Sequence, residues 1–257
     1  PPPPPPPPPP PFFFQSEVGI RDSVAARGLG DVYKRQIELK QIIHDKTNPW
    51  HEFKDGVRYV LHQRLFLTLI LLTWISMFFG TSFIQIMPIF ADILHSGERG
   101  YGLLISATGL GSVTGNLFIS HFQQSRRLGL MMLSCAALAP FSLAGFSLVT
   151  GTLTNAAGAF WLACFFAVLA SAFSSVFLVS SMTVLQLKVP DNLRGRVMGI
   201  HSITFSMIAL GGLVLGALAT KFSAPVAVII GAVIVLSSVI WVTIRMGEIL
   251  NLDGSQL

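Results

Sequence analysis

The sequence predicts an all-α membrane protein with six transmembrane helices, and three observations carry the prediction. Of 257 residues, 52% are hydrophobic and only 11% charged, less than half the charge content of about 25% usual in soluble domains. The charges are segregated, with only ten of the 29 lying between Leu65 and Ile244. That stretch contains charge-free runs long enough for helices of roughly 20 residues, the length that crosses a bilayer. A mean hydropathy of +0.66 agrees. Such a chain cannot present a normal wetted surface, which excludes an ordinary soluble enzyme, a DNA-binding domain and a disulfide-stapled secreted module. Cys135 and Cys164 sit in apolar runs and read as small hydrophobes, so neither a disulfide nor a metal site is expected.

Pro1 to Pro11 form an unbroken proline run followed by Phe12, Phe13 and Phe14. Read literally, this is a polyproline II arm. However, RGLGDVYKRQ (Arg27 to Gln36) resembles a translated sequencing-library adapter, and QSEVGIRD (Gln15 to Asp22) resembles the adapter segment that precedes it, so residues 1–36 are set apart from the fold. Residues 37–64 read as a cytoplasmic linker. Within it, WHEFKDGVRYVLHQR has an amphipathic helical pattern: Trp50, Phe53, Val57, Val60 and Leu61 on one face, Lys54, Arg58 and Arg64 off it.

The six spans are expected at 65–91, 100–122, 128–149, 157–187, 197–220 and 224–244, followed by a cytoplasmic tail at 245–257. The charge-free run from Leu128 to Leu187 would make one helix about 90 Å long at 1.5 Å per residue, about three hydrocarbon thicknesses. It must therefore turn back, and Thr150 to Asn155 (TGTLTN) supply the turn-formers. Continuous rather than alternating hydrophobicity favours helices over a β-barrel. Cations set the orientation. Lys54, Arg58, Arg64, Arg126, Arg127, Lys188, Arg194, Arg196 and Arg245 fall on one side, Arg99 and Lys221 on the other, which places both termini in the cytoplasm. The net charge of +5 is thereby topological and calls for no nucleic-acid partner.

Small residues at four-residue spacing recur in the second span (Gly111, Gly115, with Ala107 on the same face) and in the fifth (Gly212, Gly216). This spacing lets helix backbones approach closely. Each pair sits in the middle helix of a three-helix set, which fits two inverted repeats as well as coincidence. Polar side chains inside spans point to a solute route: Gln85, Asn116, Ser174, Ser175, Ser181, Gln186 and His201. The serines can instead be satisfied by their own helix. No Asp or Glu lies mid-membrane, so any proton-coupling group must be His201, Asp92 or a residue outside these spans.

VLQLKVPDNLRGRVMGI (Val184 to Ile200) ends one span and begins the next through a short loop carrying Pro190, Asp191, Arg194, Gly195 and Arg196. That loop resembles the cytoplasmic connection before the penultimate helix of major facilitator superfamily transporters, in the branch containing siderophore and macrolide exporters. FKDGVRYV and GYGLLISATGLGSVTG resemble the same branch, and the likeness covers about Trp50 to Arg245. It implies half of a twelve-helix fold, a missing N-terminal six-helix half as partner, small faces of spans two and five meeting that half, and a small-molecule substrate held at mid-membrane. Spans one and four would line the cavity, favouring Gln85 and the serines. The loop GNLFISHFQQSRR departs from the family's acidic-basic motif: Gly115, Arg126 and Arg127 match, but apolar Ile119 or its neighbours stand at the acidic position. Asp191, Arg194 and Arg196, with Arg126 and Arg127, are candidates for a cytoplasmic gate or simple topology anchors.

The resemblance implies secondary transport by alternating access, in the direction of efflux, of a small hydrophobic or siderophore-like molecule across the cell membrane, without a cofactor and with proton coupling left open. Alternatives are a half-size homodimeric transporter and an intramembrane serine enzyme using Ser106 and His201. No GxxxxGK[ST] phosphate loop is present, which disfavours an ATP-driven pump.

Overall fold

The computed structural model describes residues 49–122, 128–154, 156 and 158–246; the expectations for residues 1–36, for Arg126 and Arg127 and for the end of the tail lie outside them. Among the described residues every element is helical. A juxtamembrane helix α1 (Pro49–His62) precedes a first span built from α2 (Arg64–Ile75), a π-helical segment (Ser76–Gly80), a 3-10 segment (Thr81–Ile86) and α3 (Met87–Ile93). The second to fourth spans are α4 (Gly97–Phe122), α5 (Leu128–Thr152) and α6 (Ala159–Lys188). The fifth begins within α7 (Asp191–Ser202) and continues as α8 (Thr204–Lys221), and the sixth is α9 (Ala224–Arg245). Six helical segments are long and apolar enough to cross a membrane.

The boundaries follow from local chemistry. Gly158, at φ +94° just before α6, occupies a left-handed conformation that glycine adopts without penalty. The tight link between the last two spans is closed by Ser223, whose hydroxyl accepts the Val226 N–H at 3.4 Å, with Pro225 in the first turn. The expected loop at residues 188–196 is a correction. Only Val189 and the extended Pro190 lie outside helix there, and Asp191 opens α7 in one continuous run to Ser202. Proline fits the cap and a carboxylate fits the first turn, so a segment read as a polar loop is a helix.

The second departure is the broken first span. Pro88, in the first turn of α3, lacks an N–H and would collide with the Ile84 carbonyl of a continuous helix, so the chain tightens to 3-10 and restarts. The π-helical widening just before it leaves carbonyls without their usual partners. Ser82 answers one of them by donating to the Met77 carbonyl at 2.8 Å. Non-helical backbone survives at membrane depth only when protein covers it. Two glycines provide that cover: Gly211 of α8 lies against the Phe78 carbonyl, and Gly231 of α9 against the Phe79 carbonyl.

The helix pairings repeat. The second span packs on the fourth and the fifth on the irregular middle of the first; likewise the third packs on the fourth and the sixth on the first. Glycines mark each contact: Gly111 and Gly115 against Val168 and Ala172, Gly145 against the Phe166 ring, Gly211 and Gly212 against the first span, Gly231 likewise. The pairings of the first and fourth spans thus correspond, as they do in inverted repeats, although the fifth and sixth spans pack on each other and the second and third do not to a comparable degree. Lipid is as apolar as leucine, so close van der Waals packing of this kind holds the bundle together. Phe146 of α5, fully buried, stacks edge-on with Phe83 and Phe90 at 5.6 and 4.9 Å, and Ser147 donates to the Pro225 carbonyl across to α9.

Candidate functional site: a mid-depth hydroxyl groove

Most hydroxyls in the spans are spent on their own helix. Ser106, Ser112, Thr114, Ser142, Ser180 and Thr183 each donate to a carbonyl three or four residues back, the usual refuge in an apolar helix. Ser76, Thr81, Ser171 and Ser174 do not. The oxygens of Ser76 and Thr81 are buried without a partner, and neither Ser171 nor Ser174 makes a side-chain hydrogen bond. The widened first span explains part of this, because the π and 3-10 segments displace the carbonyls to which Ser76 and Thr81 would otherwise bond.

Three of these four hydroxyls converge. An open groove of about 130 Å³ is lined by Met77, Thr81 and Ile84 of the first span, Ser112 of the second, Ser171, Ser174, Ser175 and Leu178 of the fourth, and Phe205 and Ile208 of the fifth. Counted along each span, the lining residues sit near the middle: Thr81 in Arg64–Ile93, Ser174 in Ala159–Lys188, Ser112 in Gly97–Ser120. Ser174 also borders an enclosed void of about 20 Å³ beside Ser76, Ala136 and Pro140, large enough for about one water. At the rim Ser175 donates to the side-chain oxygen of Asn116 at 2.6 Å. The wall is therefore mainly apolar with a few hydroxyls that both donate and accept, the mixture usual in small-molecule pockets.

The expected residues divide. Ser174 and Ser175 line the groove, and Asn116 edges it through Ser175. Ser181 does not: it is fully buried and shares a 3.1 Å hydrogen bond with Thr73, joining the first and fourth spans. Gln85 is exposed, its stem against Gly212 and away from the lining. Gln186 is exposed, and His201 is buried beside Thr204 at 3.5 Å. Gly216 has no neighbour within 4 Å of where a side chain would begin, unlike Gly111, Gly115 and Gly212, which press on the fourth and first spans. The small faces of the second and fifth spans are thus occupied inside this six-helix unit and do not face outward. Asp191 pairs with Arg194 at 2.7 Å within the first turn of α7, both largely exposed. Ile119, at the position where the family carries an acid, is buried. Ser106 donates to its own Gly102 carbonyl. Among the described residues no cluster of His, Cys, Asp or Glu could hold a metal.

Ser76, Thr81, Ser112 and Ser171 were not singled out from the sequence. The signal that finds them is depth: counting inward from both ends of each span brings these residues to a common level.

Six membrane-length helices around a mid-depth groove make a multi-pass membrane protein of the transporter class. The chain belongs to the Major Facilitator Superfamily, whose sequence profile matches residues 5–250. No curated protein and no solved structure gives a significant match.

Proposed function

We propose that the groove is one wall of a solute path, and that this six-span unit works with a second one by alternating access to export a small hydrophobic or siderophore-like molecule. The observation that carries the reading is the pair of unspent hydroxyls at mid-depth, Ser171 and Ser174, on the fourth span, with Thr81 lining the groove opposite and its own oxygen buried without a partner. A hydroxyl left without a partner in lipid is costly; one that faces a wet path or a polar solute is not. The outward residues Val113, Leu117, Phe205 and Leu213 of the second and fifth spans are exposed and offer the surface for the partner unit. In this reading the second unit is an N-terminal half of the family's twelve-helix fold; a second copy of this chain is the alternative partner. The cation bias supports an orientation with α1, Lys188 to Arg196 and Arg245 at the cytoplasmic face of the cell membrane.

Ethidium efflux from cells expressing the gene tests this reading. Thr81→Val with Ser174→Ala removes both hydroxyls without adding bulk, and efflux is expected to fall at least several-fold at unchanged protein level. Wild-type efflux in the double variant would remove the groove from the transport path.

A further inference from the structure

The basic flank of α1 faces away from everything the bundle provides. Gln63 alone links α1 to Arg64, the first residue of the first span, and its extended backbone (φ −105°, ψ 101°) turns α1 out of line with α2. The inner side of α1 is spent on α7 and the neighbouring helix ends. Gly56 lies against the β-carbon of Arg196, and Val60 is buried in a cluster with Leu185, Val189, Val197 and Ile200. The helix is thereby strapped across the N-terminal end of the fifth span.

On the other side, Lys54, Arg58 and His62 follow one another at four-residue steps, and with Val57 and Leu61 they border a surface groove of about 320 Å³. Lys54 and Arg58 are exposed, and Leu61 is 58% exposed. The reading of Leu61 as part of the inward apolar face is thus corrected, because it shares the flank with the cations. Lys54, Arg58, His62 and Leu61 therefore lie on one exposed flank of α1.

We propose that this flank docks on anionic phospholipid headgroups, with Lys54, Arg58 and His62 at the phosphates and Leu61 inserted beneath them. A basic amphipathic helix lying in the interface takes this arrangement, and the cytoplasmic leaflet supplies the negative charge. Because α1 is packed on α7, the lipid surface would hold in place the element that starts the fifth span. The proposal rests on the cytoplasmic placement of α1 given above only for the source of the lipid.

The test uses the full chain with Cys135→Ala and Cys164→Ala, a spin label at Leu61→Cys, and nanodiscs of phosphatidylcholine with or without phosphatidylglycerol. Both leaflets then carry the same lipid, so a wrong membrane orientation would not affect the result. With phosphatidylglycerol, the label is expected to be several-fold more accessible to oxygen than to a water-borne nickel chelate. Removing that lipid, or making Lys54→Gln, Arg58→Gln and His62→Gln together, should move the label toward water. A label at Trp241→Cys, on the sixth span, should keep its depth throughout and so report a folded, inserted chain. As a second readout on the chain with native cysteines, the triple variant should retain less phosphatidylglycerol in native mass spectra. A water-exposed label in the anionic discs, or one equally shielded with and without the anionic lipid and the three cations, would overturn the proposal, the latter pointing to a protein partner.

Discussion

Ser175 donates its hydroxyl to the side-chain oxygen of Asn116 at 2.6 Å, joining the fourth span to the second at the rim of the groove. The bond links neighbouring helices whose closest backbone approach is at Gly111 and Gly115, against Val168 and Ala172. Replacing Ser175 with Ala should cost about 0.5–2 kcal/mol, the range for interhelical hydrogen bonds in membranes. Asn116→Ala should cost a similar amount, and the double variant less than the sum. Thermal unfolding in detergent measures all three, and additive losses would mean the two side chains act separately.

Close approach at the glycines makes a sharper prediction. A side chain at Gly111 would meet the Val168 carbonyl, and one at Gly211 the Phe78 carbonyl, both backbone atoms with nowhere to move. Gly111→Leu and Gly211→Leu should each destabilise by about 1–3 kcal/mol or more. Gly216→Leu should be near neutral, since nothing lies within 4 Å. Detergent melting curves followed by size-exclusion chromatography separate these outcomes; equal losses at Gly111 and Gly216 would contradict the packing described.

Ser181 and Ser174 share the fourth span but have different roles. Ser181→Ala breaks the buried bond with Thr73 and should lower stability by about 0.5–2 kcal/mol while leaving ethidium efflux per folded molecule unchanged. Ser174→Ala removes a hydroxyl without a partner and should leave stability nearly unchanged while altering efflux. The reverse pattern would exchange their assignments.

The exposed pair of Asp191 and Arg194 should contribute little to stability, about 0–1 kcal/mol. Asp191→Asn is therefore expected to leave melting behaviour almost unchanged. If it changes the salt dependence of efflux, the pair takes part in gating; if efflux at every ionic strength stays at the wild-type level, it anchors the first turn of α7 and nothing more.

The spans were legible because the sequence stores membrane crossing as absence of charge, and ten charges over 180 residues leave few ways to place the boundaries. The start of the fifth span was not, because Asp191, Asn192, Arg194 and Arg196 look like a loop when judged by polarity, although an acid after a proline is good helix-starting chemistry. Which face of each helix packs inward was also hidden. An exposed residue such as Leu213 and a buried one such as Leu215 are chemically identical, so the apolar periodicity that orients a soluble helix carries no information here. For the same reason Ser181 and Ser174 could not be told apart by type. The 3-10 break had a visible cause at Pro88, but the π-helical widening at Ser76–Gly80 is covered by Gly211 and Gly231 from distant segments, which no local pattern records.

The central claim is that the mid-depth groove belongs to a solute path and is not a lipid-filled crease. Its most direct test is the reactivity of Ser174→Cys toward a membrane-impermeant maleimide, in cells expressing the otherwise cysteine-free protein, with Ile240→Cys on the exposed side of the sixth span as the lipid-facing reference. The account predicts labelling at Ser174 that ethidium slows, and none at Ile240. Equal inertness at both positions, or labelling that ethidium never affects, would contradict it.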